Sequence, residues 1–167
     1  MRFPSAFFAF LGLGITAVAS SPKQLGDFEL TDQNAAARKY RFPKAKVTAM
    51  TVADQKGSDQ LAPWIQRLYD RYGERIDIDG VADVSMIPKS FRGLVREVFR
   101  KRLTHSVMLD WDGSVVRRFG YERGLANIYV IDRRGCIVMR VAGPVNPAVE
   151  QELFQAIDRA IADRQGK

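Results

Sequence analysis

Lys46-Val-Thr-Ala-Met-Thr-Val-Ala53, then Asp54-Gln-Lys-Gly-Ser-Asp-Gln-Leu-Ala-Pro63, then Trp64-Ile-Gln-Arg-Leu-Tyr-Asp-Arg-Tyr-Gly73: these 28 residues decide the fold. The first block is β-branched and uncharged after Lys46, the pattern of a buried strand. The second is a loop with helix-start chemistry, in which Ser58 or Asp59 is placed to cap the amides of the following turn. The third is a helix. Leu61, Trp64, Ile65, Leu68 and Tyr72 fall on one face, and Gly73 supplies the C-terminal stop. Pro63, inside the first turns, predicts a kink.

Working outward, residues 75–84 alternate as a second strand. Pro88 and Lys89 open a second helix to about Leu103. Its predicted core face is Phe91, Leu94, Val95, Val98, Phe99 and Leu103; its other face carries Lys89, Arg92, Arg96, Arg100 and Lys101. Ser106–Leu109 is a third strand, closed by Asp110-Trp-Asp-Gly113, and residues 115–119 form a short link. Residues 127–131 and 136–141 flank Asp132-Arg-Arg-Gly135 as a β-hairpin. Asn146 and Pro147 suit the N-cap and first position of a helix, and Val149, Leu153, Ile157 and Ile161 give it a docking stripe. Upstream, residues 28–32 and 38–42 read as a small hairpin. After that hairpin the order is β-α-β-α-β-β-α. The fold class is therefore α/β: one domain, a small mixed sheet with helices on both faces, spanning residues 28–165 behind a tether of residues 20–27.

At the N-terminus, Arg2 precedes an apolar run too short to span a bilayer comfortably, which takes about 20 residues. The run ends in Ala17-Val-Ala19 before Ser20-Ser-Pro22. That is the anatomy of a secretory signal peptide over residues 1–19, and it predicts a periplasmic or secreted protein. An uncleaved N-terminal anchor is the alternative. No transmembrane run follows.

Composition narrows the chemistry. The 167 residues carry 26 Lys+Arg against 19 Asp+Glu, a net charge of +7, and only one Cys and one His. A Cys/His zinc site needs four such ligands. An intramolecular disulfide or thiol pair needs two cysteines. Any Ser-His-Asp or Cys-His catalytic arrangement must use His105. No cofactor is implied. For an exported basic protein the expected partner is an envelope protein or an anionic surface, not nucleic acid.

The stretch Met50–Pro63 resembles the strand–loop–helix of TlpA-type and redoxin-type thioredoxin-like proteins, with Gly57 and Pro63 in register. Residues 109–120 (Leu-Asp-Trp-Asp-Gly-Ser-Val-Val-Arg-Arg-Phe-Gly) resemble the family's stretch before its cis-proline. Ile131–Gly143 resembles its terminal hairpin and glycine turn. The resemblance covers residues 28–161 and implies the thioredoxin-like fold. It also implies a missing activity. Lys56 and Asp59 stand where the family's two cysteines would be, and thiol–disulfide exchange needs a thiolate and a resolving thiol. Ala126 stands at the cis-proline position, where a cis bond would cost about 2.5–4 kcal/mol, so a trans bond is predicted.

Two binding sites follow as candidates. One is the degenerate loop: Asp54, Lys56, Gly57, Ser58 and Asp59, with Ala126 and Asn127 across from it, forming an anion pocket if helix-start amides are free. The other is the basic face of the second helix, Lys89, Arg92, Arg96 and Arg100, extended by Arg117, Arg118, Arg123, Arg133 and Arg134 and suited to an acidic partner. His105 reads as a polar strand-edge residue. Asp77, Asp79 and Asp83 alternate along a strand, which is not the loop geometry calcium requires. Cys136 reads as a buried strand residue; a single-cysteine redoxin-like thiol or peroxide enzyme is the alternative. The expected function is a redox-inactive binding or scaffolding module.

Overall fold

The computed structural model describes residues 23–163. In chain order these form β1 (Lys23–Gln24), β2 (Phe28–Asp32), β3 (Ala37–Tyr40), β4 (Thr48–Ala53), α1 (Gln55–Ser58), α2 (Leu61–Tyr72), β5 (Asp77–Asp83), α3 (Arg92–Arg102), β6 (Met108–Asp110), α4 (Ser114–Phe119), β7 (Asn127–Ile131), β8 (Cys136–Ala142) and α5 (Pro147–Ala162). The signal segment and the first residues of the tether lie outside the described residues.

The strands form one sheet in the order β1-β8-β7-β4-β5-β6-β2-β3. β4, β5 and β6 are parallel, joined by crossovers through α2 and α3. β7 runs antiparallel to β4, and β8 antiparallel to β7. The mixed α/β sheet expected from the element order is therefore present. The N-terminal hairpin extends it: β2 pairs with β6 through Thr31↔Leu109 and Asp32↔Met108. The end of the tether is also part of the sheet. Lys23 and Gln24 pair with Ile137 and Cys136 as an edge strand.

β4 sits at the centre and is buried along its whole length, which is why its sequence carries no charge. Apolar side chains on its two faces divide the core. On one face Val47 and Ala49 pack with Trp64, Leu68 and Tyr72 of α2 and with Leu153 and Ile157 of α5. On the other, Met50 and Val52 pack with Phe28 and Tyr40 of the hairpin and with Val115, Val116 and Phe119 of α4.

Local signals operate where predicted at two helix and turn ends. Asn146 caps α5, accepting from the amides of Ala148 and Val149 at 2.9 and 3.5 Å. In the β7–β8 turn, Asp132 Oδ1 accepts from the amides of Arg134 and Cys136. Gly135 holds φ +89° there, and its Cα faces the Phe42 ring so closely that a Cβ would lie 2.7 Å from it; only glycine meets both demands.

Three expectations are corrected. The first helix is capped by Asp54, whose Oδ1 accepts from the Gly57 amide at 2.9 Å, and not by Ser58 or Asp59. The break predicted at Pro63 falls instead at Asp59–Gln60, between α1 and α2, and Pro63 is absorbed in the first turn of α2, where its missing N–H costs nothing. The third correction concerns the orientation of α3. Its predicted core face is only partly covered, with Val95, Phe99 and Leu103 half-buried. Phe91, Leu94 and Val98 are 53%, 62% and 39% exposed, and no residue of α3 is fully buried. Arg92 and Arg96 turn towards the protein instead. Their guanidinium groups lie 5.0 and 5.6 Å from the Trp111 ring, Arg92 donates to the Trp111 carbonyl, and Arg96 donates to Thr31 Oγ1. Two cation–π contacts with one tryptophan, together with these hydrogen bonds, hold the helix in this orientation.

Candidate functional site: the closed loop and the α2–α3 groove

Asp54 follows directly from the buried strand β4, so its position is set by the centre of the sheet. One carboxylate oxygen takes the Gly57 amide; the other accepts from the Gly124 amide at 2.9 Å. The α1 turn is thereby tied to the loop before β7. Gly57 is buried against that loop, so close that a Cβ would stand 2.2 Å from the Leu125 carbonyl oxygen. Gln60, which the sequence did not single out, completes the seam: its amide donates to the Gly124 carbonyl at 3.2 Å and its oxygen accepts from the Ala126 amide at 3.3 Å. Asn127 donates to the carbonyls of Glu122 and Leu125 and accepts from the Glu122 amide and from Arg140. The Leu125–Ala126 bond is trans; among the described residues only Phe42–Pro43 is cis.

The loop is therefore closed on itself. The Gly57 amide that an anion would need is taken by Asp54. Lys56, Ser58 and Asp59 are exposed, with the Ser58 hydroxyl donating back to the Gln55 carbonyl. The signal for Gln60 was present only as a polar residue at a helix start; its partners lie over sixty residues away in sequence.

The alternating aspartates separate by partner. Asp77 pairs with Lys44 at 2.8 Å, and Asp79 bonds the Tyr40 hydroxyl with Arg38 and Lys44 nearby. Asp83 is nearly fully buried and holds Ser85, the Tyr121 hydroxyl and Arg123. Among the described residues no group of three or more His, Cys, Asp or Glu is arranged to hold a metal ion. Burial pushes the Asp83 carboxyl up, but its hydrogen bonds and the Arg123 charge outweigh this, and its pKa lies below the ordinary value. Its contribution to stability is thus complete above the range where an unfolded aspartate titrates, near 3.9, and is lost as pH falls through the lowered folded value. Asp83→Asn should lower the melting temperature at neutral pH and flatten its acid-side decline in melts between about pH 5 and 2; an unchanged acid limb would show that this pairing is not responsible.

The further basic residues are also committed. Arg117 and Arg118 donate to the carbonyls of Asp112 and Asp27, Arg123 pairs with Asp83, and Arg134 with Asp132. Arg133 donates to the carbonyls of Ala45, Ala160, Ile161 and Asp163, clamping the C-terminal end of α5, where a cation is favoured. Cys136 is half-buried at the start of β8, at the end of the sheet opposite the 54–59 loop.

An open groove lies between α2 and α3. It has a volume of 640 Å³ and is lined by Leu61, Ile65, Val81, Leu94, Val98 and Phe99. Asp54 and Ser58 border it at the C-terminal end of the parallel strands; Arg102 and His105 border it at the other end. Asp54 and Ser58 of the degenerate loop thus border the same cleft as the apolar side of α3, while the basic-face candidates Lys89, Arg92, Arg96 and Arg100 do not line it. Ligands in open α/β sheets gather at this C-terminal side of the strands.

No protein-family model matches the chain, and no curated protein matches it in sequence. Solved structures do match. A putative thiol:disulfide interchange protein DsbE from Chlorobium tepidum superposes with a TM-score of 0.64 at 20% identity, covering 85% of this chain and 98% of that one. The exposed lipoprotein thioredoxin Etrx1 from Streptococcus pneumoniae gives 0.64 at 16% identity, over 80% and 99%. A putative thioredoxin from Neisseria meningitidis gives 0.63 at 21%, over 89% and 95%. With the sheet order, the closed loop and the terminal hairpin already in place, these likenesses establish that the chain has the thioredoxin-like fold.

Proposed function

We propose that this chain is an exported thioredoxin-like domain that does not exchange disulfides and acts as a binding module. One observation carries the reading: the backbone seam at Gly124–Ala126 is occupied by the chain's own Asp54 and Gln60. A substrate strand laid along that seam would have to displace both. The cysteine count supports the same conclusion, because a mixed disulfide on the single thiol, Cys136, has no second thiol in the chain to resolve it. The signal-type N-terminus supports export, as does the likeness to a lipoprotein described as exposed. The surface left for a partner is the α2–α3 side. Of the two partner classes, envelope protein and anionic surface, neither is reached through Arg92 and Arg96, which face inwards.

The test is reduction of insulin by dithiothreitol. The wild-type protein and Cys136→Ser should both leave the rate at the uncatalysed level. A rate above that level that vanishes in Cys136→Ser would overturn the proposal in favour of a one-cysteine thiol enzyme.

A further inference from the structure

We propose that α3 docks the protein on an anionic bilayer, its exposed apolar side entering the lipid interface and the basic residues at its ends meeting lipid headgroups. This rests on the binding-module reading and names the surface that the module binds.

Phe91, Leu94 and Val98 follow the i, i+3, i+7 spacing of one helix side, and all three are exposed. Met86, 77% exposed, lies in the turn leading into the helix. Neighbouring large apolar side chains in water mark an interaction surface. The opposite side of α3 shows why the helix does not simply roll inwards to bury them. Arg92 and Arg96 are held over Trp111 and bonded to the Trp111 carbonyl and to Thr31. The rotation that would bury Leu94 and Val98 would pull both arginines off their partners.

Charge selects the occupant. Arg100 and Lys101 at the C-terminal end share the single carboxylate of Glu97, and among the described residues Lys89 and Arg102 have no ion-pair partner. An apolar strip with an excess of cations at its edges is the composition of a helix lying in a membrane interface. It complements anionic headgroups, each nearby Lys or Arg adding to the attraction. A purely apolar protein partner would leave these cations uncompensated. Among the described residues no helix is long and apolar enough to cross a membrane.

The chain from Ser20 onward, which holds every described strand and helix, is tested by co-sedimentation with vesicles of phosphatidylcholine alone or mixed equally with phosphatidylglycerol. Binding to the mixed vesicles should be stronger by about tenfold or more and should weaken with added salt. Leu94→Asp with Val98→Asp, at exposed positions where circular dichroism should stay native, should reduce binding about tenfold or more. Lys101→Glu with Arg102→Glu should do the same, whereas Lys39→Glu on the hairpin should change it less than about twofold. Equal binding to both vesicle types, no effect of the Leu94/Val98 pair, or an equal effect of Lys39→Glu would overturn the proposal. So would concentration-dependent self-association that Leu94→Asp abolishes in protein that binds no vesicles. Insulin reduction is unaffected by any of these, so loss of membrane docking leaves the absence of disulfide exchange to be judged separately.

Discussion

Trp64→Ala should lower the free energy of unfolding by about 3–5 kcal/mol, the largest effect of any single change considered. Trp64 is fully buried where α2, α5 and the sheet meet. Its indole N–H donates to the Gly143 carbonyl at 2.9 Å, and the Gly143 amide in turn donates to the Ala126 carbonyl at 2.8 Å. Truncation therefore leaves a cavity that the surrounding side chains cannot fill and removes the donor from a buried carbonyl. For a domain of this size the loss is a large fraction of the total stability, and the melting temperature should fall by about 10 °C or more. Trp64→Phe separates the two parts: it keeps most of the volume and loses the N–H, at a cost of about 1 kcal/mol. Urea unfolding followed by far-ultraviolet circular dichroism reads both variants without relying on indole fluorescence. A loss below about 1 kcal/mol for the alanine variant would mean that α2 does not pack as described.

Gly57→Ala is the second large effect, and it acts on the site. A Cβ at position 57 would meet the oxygen, carbon and nitrogen of Leu125 at 2.2, 2.5 and 3.1 Å. These are backbone atoms, and the segment that carries them is fixed by Asp54, Gln60 and Asn127, so no side chain can swing aside to make room. The seam must part, at about 1–3 kcal/mol of overpacking together with the Asp54–Gly124 hydrogen bond. Faster hydrogen exchange at the Gly124 and Ala126 amides should accompany the loss. Gly93→Ala is the contrasting case. Position 93 opens α3, nothing lies within 4 Å of its added Cβ, and alanine there should be neutral or stabilising by up to about 1 kcal/mol. If both substitutions behaved alike, the cost at position 57 would not come from contact with Leu125.

The opposite outcomes expected at two glycines only 36 positions apart show how the chain's information is divided. The sequence places Gly57 in a candidate loop and Gly93 in a helix, but it does not show what either would cost to replace. What distinguishes them is whether a segment nearly seventy residues away comes to rest against the Cα. The same holds for Gln60, an unremarked polar residue whose two hydrogen bonds close the loop, and for Asp54, which local pattern passed over in favour of Ser58 and Asp59. Helix caps are chosen by local competition among nearby side chains, and here a long-range bond to Gly124 settles the competition for Asp54.

Elements whose pattern stands alone were legible. The uncharged β-branched run of residues 47–53 reads as a buried strand. The stripe of Leu153 and Ile157 behind the Asn146 cap could only be a docked helix. The turn at Asp132–Gly135 joins two alternating segments at hairpin spacing. With two crossovers in the element order, these were enough for an α/β mixed sheet. The single cysteine likewise bounded the chemistry, since counting needs no geometry.

Tertiary structure alone decided which way α3 faces. Periodicity separates a helix into an apolar and a basic side, but it does not say which side the protein buries. Ordinarily the hydrophobic effect makes that choice, at about 25 cal/mol per Å² of apolar surface. Here Trp111, brought beside the helix by β6 and the turn that follows it, offers the arginines Arg92 and Arg96 an aromatic face, and the apolar side is left outwards. Two arginines of the basic stripe read in the sequence as an open docking surface, Arg92 and Arg96, are thus the helix's attachment to its own domain. Of its apolar counterpart, read as core, Phe91, Leu94 and Val98 are turned to the surroundings.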